Sequence, residues 1–315
     1  MPRSCEQKFN QRSSRKDIVR RLQALVPGVI ADIIVPYSGI EEFDLERLRD
    51  EVKTLDKSGV DALSFGGVLS GLIGATPDEL SFLSGAVKSN SKKPLFAIAF
   101  PDASPEGFEM VRALDEAGAD AILVGQPHYL SQPGVEGLEE MFAQLRGLTG
   151  RPLLIADCLP GSLLGVQPIR RLVEKRLVDG VFEAADMHVV VDLLCARLGV
   201  PVYSGIEDLH YAALVLSAHG IVSNLASVFP DDCVALYAAV QSQDHLKARK
   251  IHERLVRLWR TLSVGAEQEA RLRCALAARG RSVGPAKSPY GKMAPETQQQ
   301  IHSLLAKEGV PLEGC

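Results

Sequence analysis

Eight times in succession the chain passes from a short apolar run into a longer stretch of helical periodicity. The apolar runs are Val29–Pro36, Ala62–Gly67, Pro94–Phe100, Ala121–Pro127, Pro152–Asp157, Asp179–Ala185, Pro201–Ile206 and Gly220–Ala226. Each is bounded by Gly or Pro and apolar on both faces, the pattern of strands buried in a parallel sheet. The stretches between them predict helices over Asp44–Ser58, Pro77–Ser89, Ser104–Ala117, Gly134–Leu148, Gln167–Arg176, Met187–Leu198, Glu207–Ala218 and Pro230–Ser242. Thr76-Pro77-Asp78-Glu79 and Ser104-Pro105-Glu106 each set a cap, a proline in the first turn and acids where the helix dipole favours them. Gly59, Gly118, Gly150 and Gly199 stand where helices end, as left-handed stops. Eight strand–helix units in series predict an α/β protein, a (β/α)8 TIM barrel, over an open doubly wound sheet.

Three segments follow from this pattern: an N-terminal extension over residues 1–28, the barrel over 29–242 and a C-terminal helical region over 243–315. The extension holds Arg3, Lys8, Arg12, Arg15, Lys16, Arg20 and Arg21 against Glu6 and Asp17 only. It reads as a lead into one amphipathic helix, Asp17–Leu25, docked on the barrel; an organellar transit segment is the alternative. After the eighth unit the chain is expected to be helical from Asp244 to Arg279. A Gly/Pro-bearing loop, Gly280–Pro295, then precedes a last helix, Glu296–Lys307. The single Trp259 is expected to pack a helix contact rather than hold a ligand.

Composition narrows the function classes. The 315 residues carry 35 Lys and Arg against 39 Asp and Glu, a net charge of −4, so the clustered basic surface of a nucleic-acid binder is not foreseen. No apolar stretch reaches the roughly 18 residues that would span a bilayer. Cys5, Cys158, Cys195, Cys233, Cys274 and Cys315 form no CxxC pair, and scattered thiols without a secretory signal suggest a cytoplasmic chain. Cys158, at a strand end but with no neighbouring His, reads as an inert small hydrophobe.

Several stretches, in order and at their spacing, resemble the dihydrodipicolinate synthase / N-acetylneuraminate lyase family. They are Gly118-Ala119-Asp120-Ala121-Ile122-Leu123-Val124, Pro127-His128-Tyr129 with Gly137-Leu138, Gly180-Val181-Phe182-Glu183-Ala184, Ser204-Gly205-Ile206-Glu207-Asp208, and Gly220-Ile221-Val222-Ser223-Asn224-Leu225-Ala226 before Pro230. The resemblance implies a carbon–carbon lyase (aldolase-like) barrel. It would bind a small 2-oxo acid on a strand-six lysine as a Schiff base and assemble as a homodimer or homotetramer.

The chain departs from that pattern where the chemistry lies. Imine formation needs a desolvated amine at the barrel mouth. The family's Gly-Ile-Lys-Glu-Ala reads Gly180-Val181-Phe182-Glu183-Ala184 here, so the lysine position is Phe182. Lys53, Lys57, Lys88, Lys92, Lys93 and Lys175 fall on helices or on the loops that follow them. The Gly-Thr-Thr-Gly-Glu loop that binds substrate carboxylate in relatives is Gly67-Val68-Leu69-Ser70-Gly71, with Ser70 as the remaining hydroxyl. The family's Tyr-Asn-x-Pro is Ile155-Ala156-Asp157-Cys158-Leu159-Pro160, one residue longer, so its tyrosine corresponds to Ala156 or to Asp157, and the following arginine to Ser162.

The outline of a pocket remains. By resemblance, Tyr129 after strand four, Gly205 on strand seven, and Ser223 with Asn224 after strand eight would surround a ligand. Val68, Leu69, Ser70, Asp157 and Glu183 complete the substrate-binding set. For Tyr129 an interface contact, shared with the Ala/Leu-rich C-terminal helices, is an equal alternative, as a tight turn is for Gly205. His128, Asp157 and Glu183 at strand ends could together hold a divalent cation and polarise an oxo acid without lysine. The plainer expectation is that hydrogen bonds satisfy them, and no metal or cofactor is assigned. His210 and His219 are expected on the surface. Two functions compete: a lyase-like protein binding a small 2-oxo acid or related anion without Schiff-base catalysis, and a non-catalytic pseudoenzyme acting by binding or interaction. A metal-assisted lyase is a third.

Overall fold

The computed structural model describes residues 15–39, 42–72, 74–101, 104–125, 127, 133–159, 163–287, 290 and 293–313. Eight parallel strands close on themselves in chain order: β1 (Gly28–Asp32), β2 (Ala62–Phe65), β3 (Leu95–Ala99), β4 (Ala121–Gly125), β5 (Leu153–Asp157), β6 (Gly180–Glu183), β7 (Val202–Ser204) and β8 (Gly220–Ser223). β1 pairs with β8 through Gly28↔Gly220 to Ala31↔Ser223, which leaves no open edge. This is the (β/α)8 barrel that the alternation predicts. No described helix is long and apolar enough to cross a membrane.

The pleat sorts the strand residues into two cores. Val29, Ala31, Leu63, Ala97, Ile122, Ile155, Val181 and Ile221 face outward and join the large cluster shared with the helices. Ile30, Ala62, Phe96, Ile98, Ala121, Leu123, Leu154, Ala156, Phe182, Tyr203 and Val222 fill the barrel interior. Alternate side chains of a strand point to opposite faces, so a barrel strand must be apolar on both, as these runs are.

The first helix, α1 (Arg15–Ala24), lies at the N-terminal end of the barrel. Leu25 belongs to the interior cluster, with Leu22 and Val26 packed against it. The Tyr203 hydroxyl donates to the Val26 carbonyl at 2.8 Å, and His219 Nε2 meets the Leu25 carbonyl at 3.0 Å. Asp179 anchors the same end: it accepts from Arg21 Nε (2.9 Å), Arg146 (2.6 Å) and the Leu153 amide (3.0 Å).

Around the barrel run α2 (Leu45–Lys57), α3 (Pro77–Asn90), α4 (Pro105–Glu116), α5 (Val135–Leu148), α6 (Val166–Glu174), α7 (Met187–Ala196) and α8 (His210–Val215). Then come α9 (Leu225–Val228), α10 (Pro230–Gln241), α11 (His245–Leu262), α12 (Gln268–Ala278) and α13 (Pro295–Lys307). Thr76 closes a full capping box with Glu79, and Ser104 caps α4 through the Gly107 amide. Gly59, Gly118 and Gly199 take positive φ, whereas α5 ends through Thr149 in extended geometry and needs no left-handed Gly150.

Three expected elements are redrawn. The eighth strand stops at Ser223, because the Asn224 and Leu225 amides turn to the Glu207 carboxylate and start α9. Glu207–Leu209 forms a 3-10 turn before α8, which ends well short of Ala218. The helical stretch from Asp244 breaks at Gly265, φ +63°, into α11 and α12. Trp259 packs against the outer core as expected.

Truncating Asp179 removes a buried partner from two arginines. Asp179→Ala should lower stability by about 3–5 kcal/mol, read from chemical denaturation; a loss under about 1 kcal/mol, the worth of exposed pairs, would show the network to be superficial.

Candidate functional site

Strand order and pleat deliver a fixed set of side chains to the C-terminal end of the barrel, where the functional residues of this architecture gather. Asp32 closes β1, on the same face as Ile30, and points into the interior. Its Oδ1 accepts from Ser64 Oγ (2.9 Å); its Oδ2 accepts from Ser70 Oγ and from Asn224 Nδ2, both at 2.9 Å. Asp32 is almost fully buried, and burial pushes its carboxyl up to about 6 against the three hydrogen bonds; nearby Glu207 adds to the rise. Ser227 Oγ donates to the Asp32 carbonyl at 2.5 Å and ties the strand end to α9.

Phe182 sits on β6 beside Ala156 of β5, in register and on the same interior face. Of the two positions matched to the family tyrosine, Ala156 therefore shares the interior with the lysine position, and Asp157 points to the helix side. The Phe182 ring lies against β7, where Gly205 makes room for it. A Cβ on Gly205 would stand 2.5 Å from Phe182 Cε2 and 2.6 Å from the Ala184 Cβ. The same device recurs at β4, where a Cβ on Gly125 would run into the Phe100 ring. Phe182 thus belongs to the interior cluster, with the Phe100 ring packed against it.

Asp157 and Glu183 are brought together as cross-strand neighbours, but outside the interior. Asp157 Oδ2 accepts from the Leu164 amide (3.0 Å), and Glu183 Oε1 from the amides of Ala185 (2.8 Å) and Asp186 (2.9 Å). Among the described residues no other donor reaches Asp157 Oδ1 or Glu183 Oε2, both buried, and the two carboxyls hydrogen-bond each other, an arrangement in which one proton serves both. Burial and the Asp157 charge hold Glu183 up at about 8, and burial likewise raises Asp157.

Ser223, on the helix side of β8, donates to Glu207 Oε2 at 2.6 Å. Glu207 also takes His210 Nε2 at 2.9 Å and the amides of Asn224 (2.5 Å) and Leu225 (3.3 Å). His210 is consequently buried, and His219 is half-buried against Leu25, which corrects the expectation that both lie on the surface. Each is drawn inward by an acceptor from another segment, a partner that local periodicity does not reveal. Val68 and Leu69 are half-buried, Leu69 packing on the outer core. Burial raises the Cys158 thiol well above its ordinary value, with Asp157, Glu183 and Asp32 adding to the shift, in keeping with an unreactive cysteine.

Tyr129, His128 and Ser162 lie outside the described residues. Among the described residues no group of three His, Cys, Asp or Glu side chains is placed to hold a metal ion. Lys88, Lys93 and Lys175 bind Asp120, the Val60 carbonyl and Glu139, the first two at the far end of the barrel. Sequence reasoning overlooked Asp32, Ser64 and Glu207; a lone acid on the interior face of an otherwise apolar strand was the available signal for the first.

Gly205→Ala should cost about 1–3 kcal/mol by crowding the Phe182 ring, and combining it with Phe182→Ala should recover part of that loss; full additivity in denaturation would mean the two do not touch. The shared proton sets a sign for pH. A raised folded value means that the native state holds this proton more tightly than the unfolded chain does. The stabilisation is complete below Glu183's ordinary 4.5 and fades as pH climbs through about 8. Glu183→Gln, whose amide donates to Asp157 at any pH, should flatten the fall in melting temperature between about pH 5 and about pH 8; an unchanged slope would remove the shared proton.

The model of the dihydrodipicolinate synthetase family matches residues 25–308. The chain is 26% identical over 285 residues to a 4-hydroxy-tetrahydrodipicolinate synthase of Methanothrix thermoacetophila, covering 89% of this chain and 96% of that protein. It is 28% identical over 308 residues to the enzyme of the same name from Methanopyrus kandleri, covering 92% and 98%. Dihydrodipicolinate synthase from Aquifex aeolicus superposes with a TM-score of 0.84 at 24% identity, over 91% of this chain and 100% of that one. A prophage protein of the dihydrodipicolinic acid synthase family from E. coli K12, solved in complex with pyruvate, gives 0.85 at 20% identity, over 91% and 99%. From strand order to C-terminal helices, the chain belongs to the dihydrodipicolinate synthetase family.

Proposed function

We propose that this protein is a lyase-like member of its family that takes a small 2-oxo acid or related anion at the barrel mouth without forming a Schiff base. One observation carries the reading: the β6 position that would project an amine into the interior holds the Phe182 ring, sealed against Gly205 and Ala184. None of the eight strands ends in lysine. The tyrosine position on the same face, Ala156, offers no proton shuttle, so neither the covalent step nor its proton transfer has a side chain in the family's place.

The ligand-binding set of this reading is Val68, Leu69, Ser70, Gly205 and Ser223, with Tyr129 carried over from the family resemblance. Asp157 and Glu183, with one proton between them, are the acid–base pair nearest to the strand-five and strand-six ends. The protein is proposed to work in the cytoplasm as a homodimer or homotetramer, without nucleic acid or membrane as partner and without a bound cofactor. A second reading, a non-catalytic binding protein, draws support from the commitment of Ser70 to Asp32 and of Ser223 to Glu207, which leaves neither hydroxyl idle for a substrate.

Incubation with pyruvate and borohydride, read by intact mass, tests the main point. No covalent adduct is expected on the wild-type protein. An adduct would show that some lysine reaches the mouth and would overturn the reading.

A further inference from the structure

Three neutral donors from three separate elements converge on one carboxylate inside the barrel: Ser64 from β2, Ser70 from the loop after it, and Asn224 from the turn after β8, each at 2.9 Å from an Asp32 oxygen. Among the described residues no basic side chain hydrogen-bonds Asp32, and the charge of nearby Glu207 repels it. Buried charges are generally paired, as Asp179 is with Arg21 and Arg146 at the opposite end. Asp32 is instead held as a bound carboxylate would be, by hydroxyls and an amide. The loop backbone presses on it too: a Cβ on Gly67 would overlap Asp32 Oδ2. Ser70, the one hydroxyl left in the strand-two loop, is spent on this contact.

We propose that Asp32 is a specificity-determining residue whose own carboxylate occupies the anion-receiving corner formed by Ser64, Ser70 and Asn224, barring a ligand carboxylate from it. The inference rests on the reading that a small molecule enters the barrel mouth, and it narrows that reading. An oxo acid seated there turns its carbonyl or alkyl end toward β1 and β2, and its carboxylate away. The carboxylate of a ligand brought close to Asp32 would meet a like charge in a buried setting, where repulsion is poorly screened. Protonation of Asp32 relieves that repulsion, so any anion binding near the corner strengthens as pH falls below about 6.

Removing the side chain should expose the corner. Asp32→Gly deletes an acetate-sized fragment and Asp32→Ala a formate-sized one, leaving three donors around the space. The probes are therefore acetate with Asp32→Gly and formate with Asp32→Ala, at constant ionic strength with chloride as control. Each matched pair should raise the melting temperature on the order of 3 °C at tenfold excess over Kd, and the wild type should not respond. Pyruvate should bind Asp32→Gly at least about tenfold more tightly than wild type, the equivalent of about 1.4 kcal/mol. Adding Ser70→Ala should abolish the gain. If a variant folds poorly, refolding yield with and without its probe replaces melting as the readout, and acetate or formate should raise it. Equal responses of variant and wild type, or none from either variant by either readout, would overturn the assignment of Asp32. Neither outcome bears on the borohydride result, so failure here and failure of the non-imine reading are separately visible.

Discussion

The alternation of side chains across the barrel wall governs every contact at this site. A strand residue whose Cβ points inward meets seven other strands and no solvent, while its neighbour meets a helix. Phe182 and Glu183 are adjacent in sequence, yet one plugs the interior and the other caps the start of the turn to α7. The same rule separates Ala156 from Asp157, and Val222, which fills the interior, from Ser223, which reaches Glu207. Because the hydrogen-bonded register is closed through β1 and β8, a slip in one strand would turn its inner set outward and break the closure.

Within that frame the acids at the C-terminal end are the costly elements, since an ionised carboxylate loses its water on burial. The protein meets the cost in three ways. Glu207 collects four donors, two of them backbone amides. Asp32 collects three neutral side chains and keeps a raised pKa. Asp157 and Glu183 each satisfy one oxygen with backbone amides and leave the other for a proton held in common. Each solution ties two loops to one another, so the acids join the upper rim just as Asp179 and its arginines join the lower one. At the strand-six end the Phe182 ring makes the interior apolar, while Asp157 and Glu183 are buried on the helix side of their strands and Glu207 is buried in the turn before α8.

Much of this was legible beforehand. Helix caps such as Thr76 and Ser104 are local signals, set by hydrogen bonds within one turn, and they appear where the residues announce them. Phe182 at the family's lysine position could be read because Gly180-Val181-Phe182-Glu183-Ala184 resembles the family's strand-six stretch. The partners of His210 and Ser223 could not be read, nor could those of Asp32. Asp32 and Asn224 are 192 positions apart, and no periodicity records such a contact. The eighth strand was read too long for a related reason: Leu225 and Ala226 are apolar enough for a strand, but Glu207 captures the Asn224 and Leu225 amides and Ser223 Oγ that of Ala226, so the chain turns into α9.

By itself, then, the order of residues determined the barrel and its helical covering, since these depend on periodicity and spacing along a single run, while Phe182 at the family's lysine position was legible only through the resemblance. Only the tertiary structure decided which acids face inward, which share a proton and which hydroxyls are already engaged. Those properties arise when strands distant in the chain are placed side by side, and a carboxylate's partners and burial then set both its charge and its use.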